Sequence, residues 1–463
     1  MTQVSAYHDA YQQLGRKWIL DRTHCALWWR PGKGKTRPTL LAIRDLIWTV
    51  QVHRVLVIST KRIAKDVWPA ECEKWTPELT CKAAYGTPLK RKQVINDDSV
   101  QIVTLSAGCV DWLYQMYRDY GQFPFEMIVI DESSLFAGTK SRRAKAMRQL
   151  RNKVDRIVQL TGSPAANSLM KLWGQLYLLD GGERLGRTVT AYRTMYFTNR
   201  SPKPQEFPLW EPRPKAKEDI FDAVSDICFA LQGDDSANPP LEVNHELSFS
   251  PRQRESYKNF VRDGVLDTFG FEPGIFDIAS SGALYGKLLQ FAGGAVYVVD
   301  EETGTRRVQF IHDLKMDALK EIVTEAAGDP ILLAYQYKHT LERLQKVFPN
   351  LPTLNTPGVI DRWNAGELPL LPMHPKSGGH GLNMQYGGAT VVFWDLPDLE
   401  LYEQFIGRLH GRAGQTRRVI VHRLMIKGTV DMDARRRIRD RDEDQNFMIR
   451  VVERLSAEYR RAA

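Results

Sequence analysis

Two groups of short apolar runs constrain the fold of this chain more than any other feature of its sequence. Within each group the runs alternate with longer stretches of helical periodicity. Such alternation is typical of parallel sheets whose strands are connected through helices. The first group lies at 24–29, 55–59, 100–105, 126–131 and 156–162, and the second at 329–336, 368–375, 388–395 and 418–424. The sequence therefore predicts an α/β protein with two parallel-sheet lobes.

The stretch between the two groups differs from both. Residues 201–219 contain five prolines, too many for a regular helix or strand. From about 219 to 318 the pattern is mainly helical with a few short extended pieces. We therefore expect four segments, namely a first lobe over 1–182, a linker with a mainly helical insertion over 183–310, a second lobe over 311–434 and a C-terminal helix over 435–463.

The composition argues against several classes of protein. No apolar run approaches the roughly 18 residues of a membrane-spanning helix, and the N-terminus lacks the basic-then-apolar order of a signal peptide. We therefore expect a cytoplasmic protein with no membrane partner. The five cysteines include no Cys-x-x-Cys pair, which argues against a disulfide framework or a zinc ribbon. The net charge of +9 permits a polyanionic partner without requiring one.

The sequence RPGKGKT at 30–36 lies between an apolar run and an amphipathic stretch, as a phosphate-binding loop does. Gly32 and Gly34 allow the backbone to curl with its N–H groups facing inward. Lys35 would then reach the β- and γ-phosphates of a nucleotide, and Thr36 would bind magnesium. The full pattern has glycine where Trp29 stands, so a basic turn between a strand and a helix is the alternative.

A pair of acids, Asp131 and Glu132, follows the apolar run at 126–131. Parallel α/β sheets place their ligand chemistry at the carboxyl ends of strands. Asp131 would hold magnesium, directly or through water, and Glu132 would orient and deprotonate an attacking water. Acids also end many apolar strands without any such role. The sequence LTGSP at 160–164 ends the next run, and three such loops in order favour the functional interpretation.

In their order along the chain, these residues resemble the Swi/Snf-type, superfamily-two helicase-like ATPases. Upstream of the loop, YQQLGRKWI resembles the adenine-recognition segment of that family, with Gln12 in the glutamine position. Residues 55–75 resemble the next motif, in which Thr60 and Lys61 would approach a DNA strand. Residues 374–415 resemble the two motifs of the second lobe, in the form common in bacteriophages and prophages.

The resemblance implies two RecA-like lobes that bind ATP and magnesium in the cleft between them. Lys35 and Asp131 would come from one lobe, and Gly381 and the arginines of the last motif from the other. The family usually moves along duplex DNA without separating its strands. The resemblance thus implies an ATP-dependent DNA translocase that works as a monomer on DNA, with protein partners from a phage or bacterial DNA-processing system.

The last motif departs from the family spacing. Gln404 and Arg408 fit, but Gly411 stands at the position of the second arginine, and Arg412 follows it. On a continuing helix, one inserted residue would turn that arginine by about 100°. Since glycine tolerates backbone angles that end or bulge a helix, we expect Gly411 to absorb the insertion. Arg412 would then reach the γ-phosphate, with Arg408 supporting it.

A basic segment at 140–153 contains seven Lys and Arg residues and no acid. Ala144, Met147 and Leu150 recur at helical spacing, so one face of this helix would pack inward. We predict that Arg148 and Arg151, on the remaining surface, contact DNA. The alternative is an ordinary solvated helix face.

Two other functions stay open at this point. The first is a helicase that separates strands, for which the chain has no obvious wedge domain, although a short hairpin would fit in it. The second is a nucleic-acid-binding assembly factor with a degenerate ATP site. Trp29 and the irregular spacing around Gly411 favour that second alternative.

Overall fold

The structure is a computed structural model and describes residues 3–30, 32–119, 122–162, 164, 169–199, 210–231, 239–263, 281–299, 306–377, 382, 384–410 and 415–439. Among these, the residues up to 231 form one compact unit and those from 239 form a second. No helix of the described residues has both the length and the apolar character needed to cross a membrane.

The first unit alternates strands and helices along most of its length. Its strands are β1 (His24–Trp29), β2 (Val55–Ser59), β3 (Cys81–Ala83), β4 (Ile102–Ser106), β5 (Met127–Asp131), β6 (Arg156–Thr161), β7 (Phe197–Asn199), β8 (Trp210–Pro212) and β9 (Cys228–Leu231). Its helices are α1 (Gln3–Leu20), α2 (Thr36–Trp48), α3 (Trp68–Trp75), α4 (Pro88–Ile95), α5 (Val110–Tyr117), α6 (Arg142–Arg151), α7 (Leu172–Asp180), α8 (Val189–Tyr196) and α9 (Ala216–Val224).

Seven of these strands form one parallel sheet in the order β3-β4-β2-β5-β6-β1-β9. Both faces of the sheet are covered. Along β2, Leu56 and Ile58 pack into the apolar cluster on one face, and Val55 and Val57 into the cluster on the other. Burial on both faces explains why the strands appear in the sequence as continuous apolar runs.

The second unit contains a smaller parallel sheet in the order β10-β16-β15-β13-β14. Its strands and the hairpin strands β11 and β12 are β10 (Leu241–Leu247), β11 (Ala295–Val299), β12 (Arg306–Phe310), β13 (Ile331–Ala334), β14 (Leu370–Met373), β15 (Thr390–Phe393) and β16 (Ile420–Ile426). Its helices are α10 (Pro251–Asp263), α11 (Ser281–Gly293), α12 (Leu314–Glu325), α13 (Lys338–Val347), α14 (Val359–Asn364) and α15 (Leu399–Ile406).

The two parallel sheets confirm the predicted α/β class with two RecA-like lobes. The predicted boundaries need correction, because segment 183–310 does not form a separate insertion. Its strand β9 lies beside β1 in the first sheet, and its strand β10 lies beside β16 in the second. Of the helices described in this segment, α8 and α9 belong to the first unit, whereas α10 and α11 pack on one another within the second unit. At the C-terminus, residues 430–439 are helical, and the rest of the predicted helix lies outside the described residues.

Candidate functional site

The loops after β1, β5 and β6 meet at one edge of the first sheet. These three strands are neighbours in the order β5-β6-β1 and run parallel. Their carboxyl ends therefore lie side by side, where an open α/β sheet binds its ligands. The predicted loop GKT follows β1, whereas Asp131 and Thr161 are the last residues of β5 and β6.

The loop after β1 has the curled backbone that the sequence predicts. Gly32 and Gly34 have positive φ angles of 87° and 64°, which glycine adopts without steric cost. A Cβ added at Gly34 would lie 2.7 Å from Nε2 of Gln12. The helix α2 begins at Thr36, directly after Lys35. A side chain at position 34 would therefore be both strained and crowded.

Side chains of helix α1 form hydrogen bonds with the backbone of this loop. The hydroxyl of Tyr11 donates to the carbonyl of Lys33 at 3.1 Å. Nε2 of Gln12 donates to the carbonyl of Gly34 at 3.5 Å, and Oε1 of Gln12 accepts from Arg37 at 3.0 Å. Gln12, which is predicted to recognise adenine, thus lies beside the loop that is predicted to bind phosphate.

Trp29, which stands in place of a glycine, belongs to the core rather than to the loop. Its ring is fully buried and packs edge-on against Tyr11 and Phe229, with centroid distances of 5.3 and 5.7 Å. Its carbonyl accepts a hydrogen bond of 2.7 Å from Nζ of Lys35. The departure from the family pattern therefore leaves the backbone curl at Gly32 and Gly34 intact.

Asp131 ends β5 with a half-buried carboxylate. Its Oδ2 accepts a hydrogen bond of 2.8 Å from the indole Nε1 of Trp68 and one of 3.3 Å from the hydroxyl of Ser59. Trp68 is fully buried at the start of α3. Both donors bind the same oxygen, so they orient the carboxylate at the sheet edge.

Glu132 lies in the left-handed region of the backbone, with φ 81°. Its side chain is only 5% exposed, and Oε1 accepts a hydrogen bond of 2.8 Å from Thr161 at the end of β6. Burial raises the pKa of the carboxyl, whereas the nearby Lys35 ammonium and the hydrogen bonds from Thr161 and Ser134 oppose that rise. The structure therefore brings Lys35, Glu132 and Thr161 together at one sheet edge, where the sequence predicts all three.

Gln175, on the apolar helix α7, was missed by the sequence reasoning. Its Oε1 accepts from the hydroxyl of Ser133 at 2.6 Å, and its Nε2 donates to the carbonyl of Pro164 at 2.7 Å. It thereby links the loop after β5 to the loop after β6. The available signal was a single amide within the otherwise apolar sequence LWGQLYLL, because a buried amide needs partners.

The predicted DNA contacts of the first unit have two different environments. Lys61 is exposed at the start of the helical segment that follows β2, with its Nζ 5.5 Å from the ring centroid of Tyr85. The hydroxyl of Thr60 is buried and has no hydrogen-bond partner among the described residues.

Arg148 and Arg151 are half-buried and donate hydrogen bonds to backbone carbonyls. Arg148 donates to Thr139 at 2.7 Å, and Arg151 donates to the carbonyls of Leu178 and Leu179 at 3.1 and 3.2 Å, at the end of α7. On the same segment, Lys140, Arg142, Arg143 and Lys145 are exposed. Helix α6 and its inward residues are confirmed. Arg148 and Arg151 are less exposed than these four, and their contact with DNA stays a prediction.

In the second unit, helix α15 ends at Ile406, before the inserted residue. Gln404 lies on the helix, whereas Arg408 lies beyond it, 3% exposed, and donates to the carbonyl of Pro375 at 3.3 Å. The helix therefore stops five residues before Gly411, and the expectation that Gly411 absorbs the insertion stays a prediction. Gly381, Gly411 and Arg412 lie outside the described residues.

Known proteins resemble this chain over most of its length. A family model described as the SNF2-related domain matches residues 11–188. Protein p41 of Acyrthosiphon pisum secondary endosymbiont phage 1 is 32% identical over 460 residues, which cover 96% of this chain and 98% of p41. YwqA of Bacillus subtilis, whose name assigns it to ATP-dependent helicases and translocases, is 22% identical over 395 residues. That match covers 79% of this chain and 40% of YwqA.

Among solved structures, the SWI2/SNF2 ATPase core of Sulfolobus solfataricus in complex with dsDNA aligns over 96% of both chains, with 20% identity and a TM-score of 0.44. The family model spans the loop after β1 and the paired acids, and the phage relative matches nearly the whole chain. The chain therefore belongs to the SNF2-related, helicase-like family, in its phage branch.

Proposed function

We propose that this chain is a DNA translocase that hydrolyses ATP with magnesium and moves along duplex DNA. The observation that carries the proposal is the convergence of Lys35, Asp131 and Glu132 at the carboxyl edge of one parallel sheet. Enzymes that transfer a phosphoryl group to water use such a set, in which a lysine binds phosphate beside a buried glutamate and a second carboxylate.

The residues present fit a magnesium ion. The carboxylate of Asp131 and the hydroxyl of Thr36 offer oxygen ligands, which Mg²⁺ prefers. When bound, the ion would neutralise phosphate charge. Trp68 and Ser59 occupy one carboxylate oxygen of Asp131 through hydrogen bonds, and the other oxygen would serve the ion.

Glu132 would accept the proton of the attacking water. Its buried position raises the pKa of the carboxyl, and a higher pKa makes the carboxylate a stronger base. Thr161 holds one carboxylate oxygen, so the side chain is oriented before a nucleotide binds. Lys35 would leave the carbonyl of Trp29 for the phosphates.

Several features support DNA as the polymer along which the protein moves. The chain carries a net charge of +9, and four exposed basic residues lie on and next to α6. Phosphate contacts from such residues supply affinity that does not depend on sequence. Among relatives, the name of YwqA includes translocase activity.

Steady-state ATP hydrolysis with and without blunt duplex DNA tests this proposal. We expect slow hydrolysis by the protein alone and a marked increase with duplex. Saturable ATP binding without hydrolysis, with every nucleic acid tried, would instead support the assembly factor with a degenerate ATP site.

Strand separation is a second candidate, favoured by one feature of the second unit. Strands β11 and β12 pair antiparallel, with Val299 opposite Arg306. Val308 and Phe310 on β12 are exposed, by 43% and 51%. An apolar ribbon of this kind could act as a wedge, so unwinding of a forked duplex by the isolated chain would favour the helicase.

A further inference from the structure

A pocket of about 380 Å³ opens at the carboxyl ends of β2, β3 and β4 in the first unit. Its walls carry three basic side chains, Lys61, Lys65 and Arg91, and its lining includes no acid. Its remaining surface consists largely of alanine and glycine around the aromatic side chain of Tyr85. The pocket therefore combines positive charge with a flat apolar surface.

Tyr85 presents its ring to solvent. The side chain is 44% exposed, whereas most aromatic side chains of this unit are buried. Nζ of Lys61 and Nζ of Lys65 lie 5.5 and 5.1 Å from the ring centroid. Both lysines are exposed, so their ammonium groups can leave the ring at little energetic cost. Lys65 also pairs with Asp66 at 3.5 Å, an exposed pair that contributes little.

The position of the Arg91 side chain is fixed by contacts with Cys109 and Trp112. Its guanidinium donates to the thiol sulfur of Cys109 at 2.6 Å and lies 4.4 Å from the ring centroid of Trp112. Its buried Nε has no hydrogen-bond partner among the described residues. A thiol is a weak acceptor, so these contacts position the guanidinium without neutralising its charge.

We propose that this pocket binds one unpaired nucleotide of a DNA strand, with the base stacked on Tyr85 and the phosphate held by Lys61 and Arg91. This inference rests on the proposed function and specifies the form of DNA that the first unit binds. A pocket that bound only phosphate would need only the basic side chains. The exposed ring of Tyr85 and the small apolar residues around it provide, in addition, a surface on which a base can stack. Cationic grooves with aromatic platforms are typical sites for single-stranded nucleic acid.

The consequence is a preference for DNA with a single-stranded tail or gap. A blunt duplex keeps its bases stacked in pairs, so it would use only the basic side chains. A tailed duplex would add the stacking contact at Tyr85. Stacking of one base on an aromatic side chain corresponds to about a 10-fold gain in affinity or more.

Equilibrium binding without ATP tests the proposal, using labelled blunt duplex and the same duplex with a single-stranded tail. Tyr85→Ala should weaken binding of the tailed DNA by about 10-fold or more and leave binding of the blunt duplex unchanged. Tyr85→Phe should retain the preference. The matched control is Leu89→Ala, because Leu89 is exposed on nearby α4 and does not line the pocket.

Three outcomes would overturn the proposal. The first is an equal loss on both DNAs, which would make Tyr85 a contact to the duplex backbone. The second is no loss on either DNA. The third is competition by a free deoxynucleoside monophosphate as effective as that of the tail, which would indicate a site for free nucleotides. Because the assay needs no hydrolysis, a protein without DNA-stimulated ATPase activity would contradict the proposed function and still report on the pocket.

Discussion

At the scale of single residues, Glu132 combines a rare backbone conformation with a buried charge. Non-glycine residues seldom adopt positive φ, because the Cβ approaches the carbonyl oxygen. Here the conformation places the carboxylate on Thr161, next to Lys35. Such strain persists where the surroundings hold it, and it concentrates at functional sites.

Glu132→Gln should abolish turnover and retain ATP binding. The amide keeps the shape of the side chain but cannot accept a proton from water, and loss of a general base lowers kcat by roughly 10² to 10⁴. Turnover and nucleotide affinity would be measured together, with Glu73→Gln, an exposed acid on α3, as the control. Turnover of Glu132→Gln close to that of the wild type would remove Glu132 as the base.

The pH dependence of turnover should report the same carboxyl. Its pKa is raised, so the base is protonated, and turnover is lost, as the pH falls through that raised value. The Thr161 hydrogen bond favours the charged form. Thr161→Val should therefore move the acid limb of the kcat profile to higher pH. An unchanged limb would show that another group limits the rate in acid.

The sequence predicts the parts of the site that are local in the chain. The glycines of the loop, Lys35 and the acid pair are recognisable because their chemistry depends on spacing over a few residues. Trp68 and Gln175 could not be assigned in this way. Their partners, Asp131 and Ser133, are distant in sequence and become neighbours only when strands and helices pack.

At the scale of elements, Arg151 connects two helices. Its guanidinium on α6 donates to two carbonyls in the last turn of α7, which would otherwise lack partners within the helix. A basic side chain there also interacts favourably with the helix dipole. The DNA contact expected of Arg151 stays a prediction, whereas its hydrogen bonds show that it joins α6 and α7.

Arg151→Ala should therefore destabilise the fold. Hydrogen bonds to a charged group contribute about 1 to 3 kcal/mol, and urea denaturation should show a loss of that order in the free energy of unfolding. Arg143→Ala, on the exposed surface of the same helix, should change stability little. Equal stability of the two variants would contradict the structural role of Arg151.

The strands in the middle of both sheets are predicted, as is the edge strand β14, whereas the edge strands β3, β9 and β10 are not. Central strands such as β2 and β5 are buried on both faces, so every residue before the last one of each strand is apolar. Strand β10 alternates exposed and half-buried residues, and β9 has only four residues. These weaker patterns explain why the sequence assigned both to an insertion rather than to the two sheets.

At the scale of the whole molecule, a buried ionic cluster stands out in the second unit. Nζ of Lys315 lies 3.0 Å from Asp431 and 3.9 Å from Asp395, and all three side chains are almost fully buried. Lys315 also donates to the carbonyl of Trp394. Burial raises the pKa of Asp395 to about 6 from its ordinary value of 3.8.

This raised pKa predicts how stability depends on pH. Because the folded protein holds the proton more tightly, the contribution of Asp395 is fully present below pH 3.8 and is lost as the pH rises through about 6. Relative to Asp395→Asn, which does not titrate, wild-type stability should fall over that window by on the order of 3 kcal/mol. A constant difference between the two proteins, measured by urea denaturation across pH, would contradict the prediction.

The two-sheet architecture and the family follow from patterns spread over the whole chain. Motion on DNA is a further claim, since ATP hydrolysis alone does not establish movement. The proposal requires that turnover at Glu132 be converted into displacement along a duplex.

The most direct measurement is ATP-dependent displacement of a third strand from a DNA triplex, with a forked duplex of the same sequence in parallel. We predict that the wild type displaces the third strand and leaves the fork paired, whereas Glu132→Gln leaves both the triplex and the fork intact. Failure to displace the third strand, in a preparation that hydrolyses ATP on duplex DNA, would contradict translocation. Efficient separation of the fork would show a strand-separating helicase instead.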